Sequence, residues 1–115
     1  MLPRKYRLKK KNEFKNTYKK GKSFANPYLV LYFIENNNID GSKIAFAVGK
    51  KIGKAIVRNK IKRKLREACR SQLATIKGNY NIIFIARAKI KGNSYQDVEK
   101  HMLALLKRAG LLIQE

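Results

Sequence analysis

Positive charge is concentrated in two separate blocks of this 115-residue sequence. Residues 1–22 carry ten Lys and Arg against one acid, and residues 50–70 carry another ten, again against one acid. Charged side chains stay out of a core unless they are paired, so both blocks are predicted to lie on the surface. An evenly charged, solvated surface would not concentrate its cations in this way. The two blocks therefore indicate two contacts with anionic partners, or one large contact.

The total charge and the composition exclude several classes of protein. The net charge is +21 and 44% of the residues are hydrophobic, which suffices for a core without disulfides. The single cysteine excludes a disulfide-stapled miniprotein, and no apolar run approaches the roughly 20 residues of a membrane span. The basic first block lacks the apolar core of a secretory signal, so the cytoplasm is the predicted location, with a mitochondrial presequence as the alternative. Nucleic acid is the first candidate partner and an anionic membrane surface the second.

Three apolar segments are predicted to be strands. The segment 28–35 has apolar side chains on both faces, which is typical of a central strand in a sheet. The segment 44–48 follows a polar loop and is predicted to pair with the first strand as a hairpin. The third strand is predicted over 80–87. With the helices, the order is α-β-β-α-β-α, which predicts an α+β sandwich of one sheet and helices.

Three further segments have the spacing of helices. A short helix is predicted over 13–20 with Asn12 as its N-cap, and a long basic helix over 55–71. Ser94 is predicted to cap the last helix, which Gly110 ends.

The helix over 55–71 combines an apolar stripe with a cationic ridge. The stripe recurs at helical spacing and consists of Val57, Ile61, Leu65 and Ala68. The ridge recurs every four residues and consists of Arg58, Lys62, Arg66 and Arg70. A solvated helix would mix charges of both signs, whereas only Glu67 offsets these cations. The stripe is expected to anchor the helix, and the ridge to bind phosphates.

This basic segment resembles the signature of a known family. The stretch GKKIGKAIVRNKIKRKLREACR resembles that of the bacterial ribonuclease P protein, which carries an Arg-Asn-Arg-type motif at the start of such a helix. The resemblance extends over nearly the whole chain, through KKKNEF, YLVLYF, AFAVGKKIG and NIIFIAR. Lys60 stands at the third motif position, where it keeps the charge but not the bidentate geometry of Arg. Tyr18 stands where the family often has Phe, and the change preserves an aromatic ring.

The resemblance implies a fold and a function. The fold would be a single RNA-binding domain over 1–115, an α+β sheet–helix sandwich like the second domain of ribosomal protein S5. A short extra strand near 22–25 and a left-handed β-α-β crossover would be expected. The protein would be a subunit of ribonuclease P, a ribonucleoprotein endonuclease that removes the 5′ leader from precursor tRNA. The RNA subunit would hold the catalytic Mg²⁺ ions.

The resemblance also implies two binding sites. The precursor's leader would lie in a cleft lined by Phe14, Tyr18 and Tyr32, with Tyr28 as a weaker candidate. The catalytic RNA would bind the basic helix through Arg58, Asn59, Lys60, Lys62, Arg63 and Arg66. The implied partners are the ribonuclease P RNA and precursor tRNA, without a membrane or an obligate protein partner. No catalytic residue or metal ligand is expected in the protein.

Three other classes stay open on the sequence alone. One is a general RNA-binding protein such as a ribosomal protein, and another is a DNA-binding protein. The third, a protein nuclease acting alone, is disfavoured, because the chain has one histidine, His101, and no clustered carboxylates. Asp97 and Glu99 are two residues apart on a helix and share no face. Cys69 lies beside the apolar stripe, where a lone cysteine usually packs.

Overall fold

The computed structural model describes residues 6–39 and 41–113. The helices of this part are α1 (Lys11–Lys20), α2 (Ala55–Arg70) and α3 (Tyr95–Arg108). The strands are β1 (Lys22–Ala25), β2 (Leu29–Glu35), β3 (Lys43–Ala47) and β4 (Tyr80–Ala86). The α+β class is confirmed, and so is the short strand near 22–25 that the resemblance implied.

The strands form one mixed sheet in the order β1-β2-β4-β3. β2 pairs antiparallel with β1 and β4, whereas β3 pairs parallel with β4, so the predicted central position of β2 is confirmed. The predicted hairpin between 28–35 and 44–48 is wrong, because β4 lies between these two strands. β4 takes the interior place because Ile82, Ile83 and Phe84 are fully buried, and neighbouring strands on both sides help to cover them.

The connection from β3 to β4 runs through α2 and joins parallel strands. The β-α-β crossover that the resemblance implied is therefore present. Its left-handed sense stays a prediction, against the general rule for such connections.

The helices cover the two faces of the sheet unequally. α2 and α3 pack on the face that carries Leu29, Leu31 and Phe84, and together they form the main core. Residues alternate between faces along a strand, so Tyr32 points to the opposite face, where its ring meets Tyr18 of α1. Among the described elements, the helix that covers this second face is α1. Because α1 is short, part of the sheet stays uncovered there.

Two of the three helices begin where the sequence predicted. The Ser94 cap is confirmed, because Ser94 Oγ accepts a hydrogen bond from the Asp97 N–H at 3.2 Å. The basic helix begins at Ala55 as predicted and ends at Arg70. The predicted Asn12 cap is wrong, because the Lys10 carbonyl already accepts from the N–H groups of Glu13 and Phe14, so α1 begins two residues earlier than predicted, at Lys11.

Candidate nucleic-acid interface

The basic helix α2 has the predicted orientation. Ile61, Leu65 and Ala68 are buried against the sheet, and Val57 is half-buried beside them. The residues on the opposite side, Asn59, Lys60 and Arg63, are exposed, whereas Arg58, Lys62 and Arg66 are half-buried along the flanks. The apolar stripe thus fixes the helix and presents its cations outward.

Two of the helix cations donate hydrogen bonds to backbone carbonyl groups of neighbouring loops. Arg58 Nε donates to the Gly53 carbonyl at 3.1 Å and ties the helix to the loop before it. Lys64 Nζ donates to the Asn93 carbonyl at 2.7 Å and ties the helix to the loop before α3. No such bond occupies the side chains of Asn59, Lys60, Lys62, Arg63 and Arg66 within 6–39 and 41–113. These five side chains are available to a ligand.

Two of the three predicted leader-binding residues are in contact. The rings of Tyr18 and Tyr32 meet edge to face, with centroids 5.0 Å apart and planes at 76°. Tyr18 is 40% exposed, so one side of the pair is open to solvent. Partial burial, and secondarily Tyr32, raises the pKa of Tyr18. Tyr18 therefore stays a neutral phenol near pH 7, with an accessible ring for stacking.

Phe14, one helical turn before Tyr18, lines a groove at the edge of the sheet. We call this feature the edge groove; its volume is about 280 Å³, and its walls are Arg7, Leu8, Lys9, Phe14, Ile44, Ala45, Phe46, Lys62 and Arg66. The N-terminal segment forms one wall because it runs beside β3, where the Leu8 N–H donates to the Ile44 carbonyl at 3.0 Å. The edge groove therefore joins Phe14 of the predicted leader site to Lys62 and Arg66 of the predicted RNA site.

Sequence reasoning missed several residues of the edge groove. Phe46 belongs to a predicted strand, and nothing in the local pattern shows that β3 is an edge strand. Arg7 and Lys9 belong to the first charge block, whose position relative to β3 depends on a pairing over more than 30 residues. A signal for either would have required knowledge of the sheet order.

Tyr28, the weaker candidate, lies away from the other predicted leader-binding residues. Its ring stacks on His101 of α3, with centroids 3.7 Å apart and planes at 5°. The Asn26 side chain accepts from the N–H groups of Tyr28 and Leu29, which makes a turn before β2. β2 begins at Leu29, so the regular alternation of strand side chains does not extend to Tyr28.

The remaining singled-out residues have structural surroundings. Cys69 is buried, and this burial raises the pKa of its thiol to about 12. His101 is half-buried under Tyr28, and its Nε2 lies 3.2 Å from Asn93 Oδ1. Among the described residues, no three His, Cys, Asp or Glu come together as a metal site would require. No described helix is long and apolar enough to cross a bilayer.

Comparisons with known proteins agree on one family. The family model described as Ribonuclease P matches residues 2–110. The ribonuclease P protein component of Clostridium novyi is 43% identical over 106 residues, which cover 91% of this chain and 94% of that protein. The component from Clostridioides difficile is 44% identical over 107 residues, which cover 92% of this chain and 93% of that protein.

Solved structures agree with the sequence comparison. The RNase P protein of Staphylococcus aureus superposes with a TM-score of 0.86 at 37% identity, covering 94% of this chain and 98% of that one. The Thermotoga maritima protein superposes with a TM-score of 0.81 at 34% identity, covering 95% and 98%. The match in sequence and fold spans the edge groove and the basic helix alike, and this chain belongs to the ribonuclease P protein family.

Proposed function

We propose that this chain is the protein subunit of ribonuclease P and assists an RNA subunit in the endonucleolytic removal of the 5′ leader from precursor tRNA. Membership of the family supports this function. The observation that carries it is the edge groove, which is lined by an aromatic ring of α1 and by two cations of α2. A single-stranded RNA needs this combination, because its bases stack and its phosphates require neutralisation.

The aromatic residues would hold the leader. Phe14 in the edge groove and the Tyr18–Tyr32 pair offer ring faces along one side of α1. Stacking of a base on an aromatic side chain contributes about 1–3 kcal/mol and tolerates any base. This chemistry suits leaders that differ in sequence from one precursor to the next.

The cations of α2 would divide between two RNA partners. Lys62 and Arg66 line the edge groove, so they would neutralise phosphates of the leader. Asn59, Lys60 and Arg63 lie on the exposed side, where they would dock on the catalytic RNA. Arg58 would contribute through the part of its guanidinium that the Gly53 carbonyl does not occupy.

The catalytic centre would lie in the RNA subunit. We assign the catalytic Mg²⁺ ions to the RNA, because phosphate oxygens are among the hard ligands that Mg²⁺ prefers. Mg²⁺ supplies an activated water and stabilises the developing charge in phosphodiester hydrolysis. The protein would position the substrate and neutralise phosphates. The proposed location is the cytoplasm, where a bacterium makes its precursor tRNA.

A cleavage assay tests this function. Precursor tRNA is incubated at low Mg²⁺ with the organism's ribonuclease P RNA alone, with the protein alone, and with both together. We expect cleavage at the mature 5′ end to become efficient only in the mixture. No gain from the protein would favour a general RNA-binding protein. Cleavage by RNA-free protein would reveal a nuclease site in the chain.

A further inference from the structure

The turn between β1 and β2 collects three cations and a histidine that are dispersed in the sequence. Arg87 follows β4, Lys89 lies in the next turn, and His101 and Arg108 belong to α3. We call these four side chains, together with the backbone of Asn26, the turn patch. They come from the segment 71–115, which has seven Lys and Arg and lies outside both charge blocks, so the sequence did not indicate this cluster.

Two arginines of the turn patch are anchored on consecutive carbonyl groups. Arg108 Nη1 donates to the Ala25 carbonyl at 2.8 Å, and Arg87 Nη1 donates to the Asn26 carbonyl at 3.1 Å. The Arg108 guanidinium also lies 5.4 Å from the centre of the Phe24 ring. Each guanidinium has five N–H donors, so most of them stay available. The anchors restrict the side chains in advance, which lowers the entropy cost of binding an anion.

The Asp97 carboxylate interacts electrostatically with His101, but no described carboxylate pairs with the Lys and Arg side chains of the turn patch. Glu99, the acid of α3 nearest in sequence to His101, accepts hydrogen bonds from Ser71 and Tyr95 instead. Arg87, Lys89 and Arg108 form no ion pair within 6–39 and 41–113. Holding uncompensated cations close together is unfavourable, and an anionic partner relieves the repulsion.

The aromatic rings beside the turn patch, Tyr28 and Phe24, already pack against other side chains. Tyr28 is stacked on His101, and Lys89 Nζ lies 5.7 Å from the centre of the same ring. Arg108 lies over Phe24, which also stacks on Phe33 with centroids 6.2 Å apart. The turn patch therefore offers charge without an open platform for bases, unlike the edge groove. Such a surface recognises a phosphate backbone and not unpaired bases.

We propose that the turn patch is a second RNA-contact surface, which binds the phosphodiester backbone of a structured RNA through Arg87, Lys89 and Arg108. β1 and β3 are opposite edges of the sheet, so this surface is separate from the edge groove. The inference rests on the proposed function, in which the protein meets two structured RNAs. The backbone would belong to the ribonuclease P RNA or to the body of the tRNA, and binding experiments distinguish these sources.

The test measures how RNA affinity depends on salt. Affinities of the wild type, the double variant Arg87→Gln/Arg108→Gln and the single variant Lys89→Gln are determined over a range of salt with three ligands. The ligands are the ribonuclease P RNA, mature tRNA and a single-stranded leader oligonucleotide. Each phosphate contact contributes about 0.9 to the slope of log K against log salt. We expect the slope to fall by about two in the double variant and by about one in Lys89→Gln, with a structured RNA only.

The control for this test is a cation of α3 that lies outside the turn patch. Lys107→Gln removes a neighbouring exposed cation of α3 outside the turn patch and should leave the slope unchanged. Unchanged slopes in folded variants, or a loss with the leader oligonucleotide alone, would overturn the proposal. If circular dichroism shows that the double variant is unfolded, the result with Lys89→Gln tests the proposal instead, because the Lys89 side chain anchors no backbone group. A wild type that fails to stimulate cleavage would count against the proposed function instead, since the slopes need no catalysis.

Discussion

At the scale of the residue, Gly21 shows how little space separates α1 from the sheet. A Cβ at this position would overlap the carbonyl oxygens of Thr17 and Phe33, both of which belong to the backbone. Backbone atoms cannot move aside as the end of a flexible side chain can. The absence of a side chain at Gly21 therefore permits the close approach of α1 to β2.

Replacement of Gly21 by Ala is expected to destabilise the protein. The overlap should cost about 1–3 kcal/mol, as overpacking does in well-packed sites. The measurement is the free energy of unfolding in urea. Gly49→Ala is the matched control, because an added Cβ at Gly49 meets nothing within 4 Å and the backbone φ of −70° suits alanine. Equal stability of the two variants would contradict the close approach.

Truncation of Tyr18 is expected to weaken binding of the leader. Tyr18→Ala should lower the affinity of the holoenzyme for precursor tRNA by about 5- to 150-fold, which corresponds to one lost stack. Affinity for mature tRNA, which has no leader, should not change. The conservative variant Tyr18→Phe keeps the ring and should bind like the wild type. An equal loss of affinity for precursor and mature tRNA would show that Tyr18 does not bind the leader.

At the scale of the element, two neighbouring cations of α2 have different roles: one is available to bind RNA, and the other holds the fold together. Arg63 is exposed and has no hydrogen-bond or ion-pair partner among the residues that the structure describes, whereas Lys64 donates to the Asn93 carbonyl. The helical period turns the two side chains about 100° apart, so one faces solvent and the other faces the loop before α3. The same charge therefore serves different purposes at adjacent positions.

Alanine substitutions at these two positions are expected to affect different properties, RNA-dependent cleavage for Arg63 and stability for Lys64. Arg63→Ala should reduce the stimulation of cleavage at limiting protein and low Mg²⁺ and leave the melting temperature unchanged. Lys64→Ala should lower the stability by about 1 kcal/mol, the usual contribution of one hydrogen bond. Thermal unfolding and the cleavage assay distinguish them. Unchanged cleavage by Arg63→Ala would exclude its proposed role in RNA docking.

At the scale of the whole molecule, the net charge of +21 dominates both binding and stability. The described cations of the edge groove, of α2 and of the turn patch lie on several sides of the molecule. Their mutual repulsion destabilises the compact state, and any anion that binds the folded chain offsets it.

RNA binding is expected to weaken steeply with salt. If about six to ten phosphates are neutralised, the affinity for the ribonuclease P RNA should fall roughly 10³- to 10⁵-fold between 50 and 200 mM salt. Filter binding at several salt concentrations gives this slope. A nearly flat response would refute the electrostatic account of the interface.

Anions are also expected to stabilise the folded protein in the absence of RNA. Millimolar sulfate should raise the urea midpoint of unfolding, because it binds the cations of the folded state. Chloride at equal ionic strength is the control for screening, and far-UV circular dichroism reports the helix content. Equal effects of sulfate and chloride would show that screening alone is responsible.

The sequence by itself determined the features that depend on local periodicity. The apolar stripe of α2, the Ser94 cap and the two apolar faces of β2 follow from neighbours within a few residues, and the structure confirms them. Local spacing also separated the cations of α2 from its buried stripe, although most of the ridge lies half-buried along the flanks of the helix. These features were predictable because helix and strand periods act over short distances.

The tertiary structure alone decided which distant segments meet. It inserted β4 between β2 and β3, against the predicted hairpin, and turned Tyr28 away from the other predicted leader-binding residues to stack on His101. It also brought Phe14 beside Lys62 and anchored Arg87 and Arg108 at one turn. Strand order and side-chain neighbours follow from how the whole core is buried, and this burial depends on contacts between residues far apart in the chain.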